Sequence, residues 1–460
     1  MAEDEEIIEN PQQSQLYNAT KISGRNTRGL GIGLFNATSG RTMALLRNSE
    51  GIEREIQTDP LTNYNVFVLD QNLKNNSYVT LINTTVLRSG SDYDANVTGA
   101  VIGMRNKKNT YEVRGSGALS QKYFTDNTDL GHKFNVNLRK TSGNLNMGIF
   151  YGEESDTYDP NDLGFLYNNN ERSVETWAEY NVYKPFWKFN RMGGGLWMQY
   201  AMLYKPAVFT EYGVNSWLWA ETKNFWNLNF FTYHEPFVTY DYFEPRTEGR
   251  YYREPTRSNY GFWIGSDRRK RLRVSFNANF STWSETGRTR RNYFVEPRFR
   301  VNDKLTFTLE VGLLNSNNAV GYVNDYVDEK SNEHNIIFGR RDQNTVINEF
   351  GTSYNFNNKM ALTFRMRHYW SKVKYNSFHL LLEDGGLGET DYYDLHDANF
   401  NAFNIDMVYR WRFAPGSDIF IVWKNSIFNS SDIPGVDYFD NLNKLFESPQ
   451  TNSLSLKVIY

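Results

Sequence analysis

Residues 359–376 read KMALTFRMRHYWSKVKYN. Every second residue gives Met360, Leu362, Phe364, Met366, His368 and Trp370, while the interleaved set is Ala361, Thr363, Arg365, Arg367, Tyr369 and Ser371. One face is apolar and the other carries two arginines, the period-two pattern of a β-strand. In a soluble sandwich the apolar face of such a strand meets another sheet. In an outer-membrane barrel it meets lipid, and the polar face meets a wet lumen. Length separates these cases, because soluble strands average about 5–6 residues and a tilted membrane strand needs about 9–11.

The alternation recurs along the chain. Leu272, Val274, Phe276, Ala278 and Phe280 stand against Arg271, Arg273, Ser275, Asn277 and Asn279. Leu305 to Leu313 alternate with Thr306, Thr308, Glu310 and Gly312, and Phe403 to Phe413 alternate with Asn404, Asp406, Val408, Arg410 and Arg412. Phe134, Val136 and Leu138 likewise oppose Lys133, Asn135, Asn137 and Arg139. These runs are long enough to cross a membrane, and they predict a barrel.

The totals agree. The 460 residues contain no stretch approaching the roughly 18 uncharged apolar residues of a membrane helix. Barrel strands escape that test, since half of each strand is polar. Aromatic residues make up 16% of the chain, which suits girdles at a hydrocarbon–water interface. Cysteine is absent, so thiol catalysis, thiolate metal sites and disulfides are excluded. A net charge of −3 argues against nucleic acid as a partner. The opening MAEDEEIIENPQQ is an acidic segment, residues 1–14, with no signal-peptide pattern.

Connections fall into two classes. Short ones at 24–27, 72–77, 105–109, 141–144, 266–270, 302–304, 355–359 and 413–417 carry the Asn, Gly, Asp and Pro of hairpin turns. Longer ones at 154–171, 237–256, 317–344, 376–398 and 431–450 largely alternate with them, as external loops alternate with periplasmic turns. The last ten residues, TNSLSLKVIY, align Leu454, Leu456, Val458 and Tyr460 on one face, the pattern by which barrels are handed to their assembly machinery. The expected fold is all-β: a large antiparallel transmembrane β-barrel of roughly 20 strands (18–22) over residues 15–460. Its strand parity and missing signal peptide further suggest a chain truncated at its N-terminus.

Three stretches carry a family resemblance: QLYNATKISGRNTRGLGIGLFNA (15–37), DPLTNYNVFVLDQNLKNNSYVTLINT (59–84) and SDIFIVWKN (417–425). They resemble the C-terminal barrel of a Bacteroidota outer-membrane family of unknown function. Its members carry, ahead of the barrel, a domain similar to family 9 carbohydrate-binding modules. The resemblance implies a bacterial outer-membrane location and a loose association with glycans. It supplies no mechanism, and no residue of the sugar-binding-like domain has a counterpart here.

Motifs of catalysis are missing. GLGIG (29–33) lacks the strand–turn–helix setting of a dinucleotide loop and reads as the small polar-side face of a strand. Gly193–Gly195 reads as the start of a strand or a bulge. The six histidines form no HExxH and no GxSxG is present, so no catalytic residue is assigned. His368, beside Tyr369 and Trp370, reads as an interfacial residue. The long loops hold acidic and aromatic clusters: Asp156, Asp159 and Asp162, then Glu383, Asp384, Asp391, Tyr392, Tyr393 and Asp394. Carboxylates so spaced suit calcium, and tyrosines beside them suit a sugar ring. The simpler reading is a solvated loop. Arg271, Arg273, Glu310, Arg365, Arg367, Asp406, Arg410 and Arg412 are expected to form a charged lumen that plugs or tunes a pore. DRRKRLR (267–273) reads as a solvated turn running into that face. The leading expectation is a non-enzymatic barrel that binds or passes a solute such as a glycan fragment. Its competitors are a glycan hydrolase with a loop-borne site and a membrane anchor for an N-terminal domain.

Overall fold

The computed structural model describes residues 5–11, 13–90, 92–327, 334–432 and 437–459. The chain is all-β apart from one short helix, and nearly all strands pair antiparallel with their sequence neighbours. It divides into two compact units, residues 1–178 with 198–210 and residues 179–197 with 211–460.

In the first unit the strands are β1 (Glu5–Glu9), β2 (Leu16–Arg25), β3 (Leu30–Ser39), β4 (Thr42–Asn48), β5 (Glu53–Asp59), β6 (Thr62–Leu73), β7 (Ser77–Arg88), β8 (Asp94–Arg105), β9 (Tyr111–Tyr123), β10 (Thr128–Lys140) and β11 (Leu145–Glu154). They form one ladder, β2-β3-β6-β7-β8-β9-β10-β11. The hairpin β4–β5 leaves this ladder and pairs with β1 as a separate three-stranded sheet. The acidic N-terminal segment thus contributes a strand.

The boundary between units falls within β12 (Glu171–Val182) and β13 (Phe189–Leu203). The second unit continues with β14 (Phe209–Thr222), β15 (Asn227–Glu235), β16 (Thr239–Asp241), β17 (Tyr252–Glu254), β18 (Arg257–Gly265), β19 (Leu272–Trp283) and β20 (Thr289–Arg300). Then come β21 (Leu305–Val327), β22 (His334–Asn355), β23 (Met360–Leu381), β24 (Leu387–Gly388), β25 (Ala398–Ala414), β26 (Ser417–Ser431), α1 (Tyr438–Glu447) and β27 (Gln450–Ile459). Its ladder runs β14-β15-β18-β19-β20-β21-β22-β23-β25-β26-β27.

The short turns are built alike. In four of them an asparagine side chain accepts two backbone N–H bonds across the bend, Asn106 taking those of Thr110 and Tyr111 (2.8 and 3.3 Å). Asn26 takes those of Arg28 and Leu30 (2.9 and 3.0 Å), Asn302 those of Lys304 and Leu305 (2.8 and 3.0 Å), and Asn357 those of Lys359 and Met360 (2.8 and 3.0 Å). This Asx arrangement satisfies donors that the ladder leaves free at a bend. Gly29 completes the first of these turns at φ +83°, a conformation that costs glycine nothing. It therefore belongs to the turn, and only Gly31 and Gly33 lie on the strand face.

Register sorts each unit into two faces. In the first, Leu34, Phe67, Leu81, Val113, Leu138 and Ile149 lie on one side, and most are exposed. In the second, Leu218, Phe230 and Phe262 share a face, as do Leu313 with Tyr293 and Leu454 with Trp423. Towards the long connections this apolar face ends in asparagine and threonine. Asn36 bonds Asn65 (2.8 Å), Asn83 bonds Thr98 (2.8 Å) and Asn96 bonds Thr85 (2.8 Å). Asn315 bonds Asn344, and Asn425 bonds Asn452 (3.2 Å). On β21 the apolar run Leu305–Leu313 covers eight rises, about 26 Å along the strand.

Several loops predicted from sequence are strands. Most of 317–344 continues β21 and β22, and 376–381 continues β23. Bulges explain the misreading: register shifts between Ser316 and Ala319 and between Arg340 and Arg341 break the two-residue period there. Gly193–Gly195 likewise lie inside β13. A Cβ on Gly193 would collide with Asn181 and lie 2.7 Å from the Trp219 indole nitrogen, so the strand has no side chain where that ring sits.

Helix α1 was hidden within 431–450. Asp437 caps it by accepting from the Phe439 N–H (3.0 Å), with Asp440 in the first turn and Lys444 in the last. Leu445, fully buried, packs with Phe403 and Ile427 on the apolar face of β25 and β26, alongside Met366 and Ile405. His368 lies under this helix and is only 3% exposed, bonded to Asn401 (3.2 Å) and Tyr438 (3.2 Å). It is a buried packing residue beneath the helix. Leu445→Ala removes the helix's central contact and should weaken its docking by about 2–4 kcal/mol. Limited proteolysis is expected to cut between residues 437 and 448 in that variant while the strand ladder stays protected.

Candidate functional site

The polar face of the second unit is a continuous field of charge. Register aligns Glu296, Glu310, Glu349 and Arg367 on one side of neighbouring strands, with Arg365 opposite Asp406. Arg365 bridges to Glu349 (3.2 Å) and Arg367 to Asp406 (2.6 Å). A polar cavity of about 670 Å³ opens here, lined by Thr308, Glu349, Arg365 and Asp406 among others. Arg410 and Arg412 share Asp418 at the short-turn end (2.9 and 3.5 Å). Seven of the eight charges singled out in the sequence thus lie on one face of a strand, and Arg271 stands just before β19 on the same side. Their carboxylate partners Glu349 and Asp418 were not identified from sequence, because pairing across strands needs the register.

At the other end of the same strands the loop residues converge as aromatic surface. Tyr375 and Phe378 stand on β23, Tyr326 on β21, and Tyr392, Tyr393 and His396 on the connection after β24. Tyr326 stacks on Tyr392 (6.1 Å, 19°), Tyr392 on His396 (6.0 Å, 20°) and Tyr375 on Phe378 (5.5 Å, 18°). Phe378 meets Tyr392 edge-on at 5.4 Å. Polar groups pin the cluster: Tyr392 Oη contacts His396 Nε2 (2.7 Å), Asn324 donates to Tyr392 Oη (3.3 Å), and Arg341 donates to Tyr375 Oη (2.7 Å). Asp397 anchors the connection by accepting from the Tyr375 N–H (2.7 Å). Tyr393 is 86% exposed and projects beside exposed Asp391 and Asp394. The arrangement offers flat apolar faces rimmed by carboxylates and amides, which suits a ring with both a C–H face and hydroxyls. Tyr326 escaped sequence reading because it lies beyond a bulge in a segment that reads as a loop; Tyr375 lies in the stretch 359–376 that reads as a strand, and its approach to the loop rings appears only in the fold.

The remaining acidic loop residues do not join this cluster. Glu383 pairs with Arg250 (3.0 Å) and Asp384 with Arg253 (3.1 Å). In the first unit Asp156 pairs with Lys205 (3.2 Å), Asp159 with Lys122, and Asp162 with Arg88 (2.5 Å). Burial would raise the Asp159 carboxyl, but the Lys122 ammonium and the Asn161 N–H override it and hold it below the usual carboxylate range. Each of the three therefore answers a different cation. Among the described residues no group of three or more His, Asp or Glu converges as a metal ligand set.

Sequence reading missed one further network. Glu254 accepts from the Trp283 indole (2.7 Å) and from Arg288 (2.9 Å), and Arg257 pairs with Glu235 (2.5 Å). Arg288 also reaches the Tyr252 hydroxyl (3.3 Å), whose pKa burial pushes up to about 12. Tyr252 in turn packs against Phe338 (5.2 Å) in a core with Ile336 and Leu381. This network ties the β16–β17 hairpin to the extended strands beneath the aromatic cluster. It is a fastening, since its charges are paired and enclosed.

A comparison with curated proteins finds no match. The family model described as Domain of unknown function (DUF5916) matches residues 1–460. The match runs through both units and every strand described above, so the chain belongs to the DUF5916 family.

Proposed function

We propose that the chain forms a closed transmembrane β-barrel in a bacterial outer membrane and binds or passes a solute, a glycan fragment, through its loop end and polar interior. The observation that carries the reading is the exposed apolar face, ending in a belt of asparagine and threonine. In water, aliphatic and aromatic surface on this scale favours aggregation. Against lipid it is stable, and its height of about 19–22 Å after a tilt of 35–45° approaches a hydrocarbon core crossed by barrel strands. The polar face then lines the interior, where cross-strand ion pairs meet water. Leu454, Leu456 and Val458, exposed on the apolar face of β27, fit a signal to the assembly machinery; Tyr460 lies outside the described residues.

Helix α1 agrees with this placement. Phe439 and Phe446 are 70% and 50% exposed on a helix docked at the polar edge of the apolar band, the level at which aromatic side chains anchor in headgroups. The glycan assignment rests on the aromatic cluster around Tyr392. It accords with the resemblance to a Bacteroidota family whose members carry a sugar-binding-like domain.

Two experiments test the reading. Phe230→Arg places a charge on the apolar face beside Leu218 and Phe262 and should cost about 2–4 kcal/mol at mid-bilayer. Arg365→Gln, on the polar face, should leave assembly unchanged because its bridge is exposed and worth less than about 1 kcal/mol. Heat-modifiable migration after refolding into lipid vesicles reads both; equal behaviour of the two variants would overturn the lipid-facing assignment. For the solute, Tyr392→Ala with Tyr393→Ala should lower retention on an oligosaccharide array at least tenfold without changing that migration. Unchanged retention, or none by the parent protein, would remove the glycan reading.

A further inference from the structure

The hairpin β19–β20 places four arginines in a square. Arg273 lies directly opposite Arg298, and the Arg300 N–H donates to the Arg271 carbonyl (2.8 Å) one alternate position further from the hairpin's bend, beside the short turns at 266–271 and 301–304. All four side chains share the polar face, and directly opposed like charges destabilise a sheet. Arg268 and Lys270 on the preceding turn complete the lining of a cavity of about 260 Å³. Among the described residues none of these six cations forms an ion pair, and Arg273 Nε is buried without a hydrogen-bond partner. Glu296 stands one rung further along the strand and accepts from Ser275 (3.2 Å), while Asp267 and Glu221, the carboxylates felt by Lys270 and Arg268, bridge Arg269 and Arg191 instead.

Other cationic clusters near the short turns are resolved differently. Arg105, Arg114 and Arg139 converge on Glu112, which is only 2% exposed. Arg410 and Arg412 converge on Asp418, and Arg25 meets Asp70. Within the same turn as Arg268, Arg269 is taken by Asp267, whose carboxyl the guanidinium and backbone N–H of Arg269 hold down at about 2. The fold supplies a carboxylate elsewhere and withholds one here. We infer that this cavity is a binding site for a multivalent oxyanion, held by the guanidinium forks of Arg271, Arg273, Arg298 and Arg300. Two guanidiniums on each of two strands can grip two anionic groups at once, and such forks match phosphate and carboxylate oxygens bidentately.

The test uses the full chain folded in neutral detergent, with inorganic pyrophosphate and citrate titrated calorimetrically at matched ionic strength. The expected result is saturable one-site binding that weakens as sodium chloride rises. Arg298→Gln with Arg300→Gln should lower the affinity at least tenfold. The unliganded melting temperature of this double variant in low salt should stay the same or rise, because repulsion is relieved. Arg410→Gln, taken from a paired cluster, should bind as the parent does. Pyrophosphate binding without citrate binding assigns the site to phosphate groups; binding of both assigns it to multivalent oxyanions generally. Absence of saturable binding, equal affinity of the double variant, or a lower melting temperature for it would each overturn the site. The assay needs no bilayer, so its outcome is separate from that of the Phe230→Arg comparison.

Discussion

Everything in this molecule depends on antiparallel register. A side chain on a strand has two directions open to it, and a slip of one residue exchanges them for the whole strand. On β23 such a slip would put Arg365 and Arg367 among Phe350 and Met407, and Phe364 and Met366 among Glu349 and Asp406. The asparagine turns remove that freedom. By closing each short bend with side-chain acceptors, Asn26, Asn302 and Asn357 fix where the next strand begins. The faces then sort themselves along the ladder of each unit.

Much of this was legible in sequence because it is local. The alternation in 359–376 survives any tertiary arrangement, and the short turns declare themselves by composition. What escaped was of two kinds. The upper parts of β21 to β23 lost their alternation at bulges, so strands were taken for loops, Tyr326 among them, while Tyr375, on a stretch read as strand, gave no sign of meeting the loop rings. Helix α1 is ten residues long and amphipathic in a way a polar connection can mimic. Its identity comes from what it covers: Phe403, Ile427 and His368 on strands β25, β26 and β23.

The charges divide along the same line. Sequence located the arginines of the polar face but not which carboxylate each would meet, since a pair such as Arg367 with Asp406 is separated by 39 residues and meets only through β23 and β25. The candidate loop residues separated for a related reason. Asp156, Asp159 and Asp162 look like a set in a string of text, yet the connection turns each toward a different strand and a different cation. Tyr392 and Tyr393 look less specific, and they join a cluster of rings assembled from three segments.

Register also distinguishes structural charge from charge left for a ligand. A carboxylate placed across from an arginine neutralises it permanently, and the resulting pair tells us about the fold. Arg273 facing Arg298 does the reverse: the ladder itself holds the like charges together, and no side-chain rotation can separate their strands. Such a pair persists when the rest of the fold compensates for it or when something outside the chain neutralises it. Because the adjoining Arg269 already has Asp267, the chain commands the chemistry of compensation within that very turn. Its omission two residues further on is therefore better explained by an external anion than by any deficiency of local sequence.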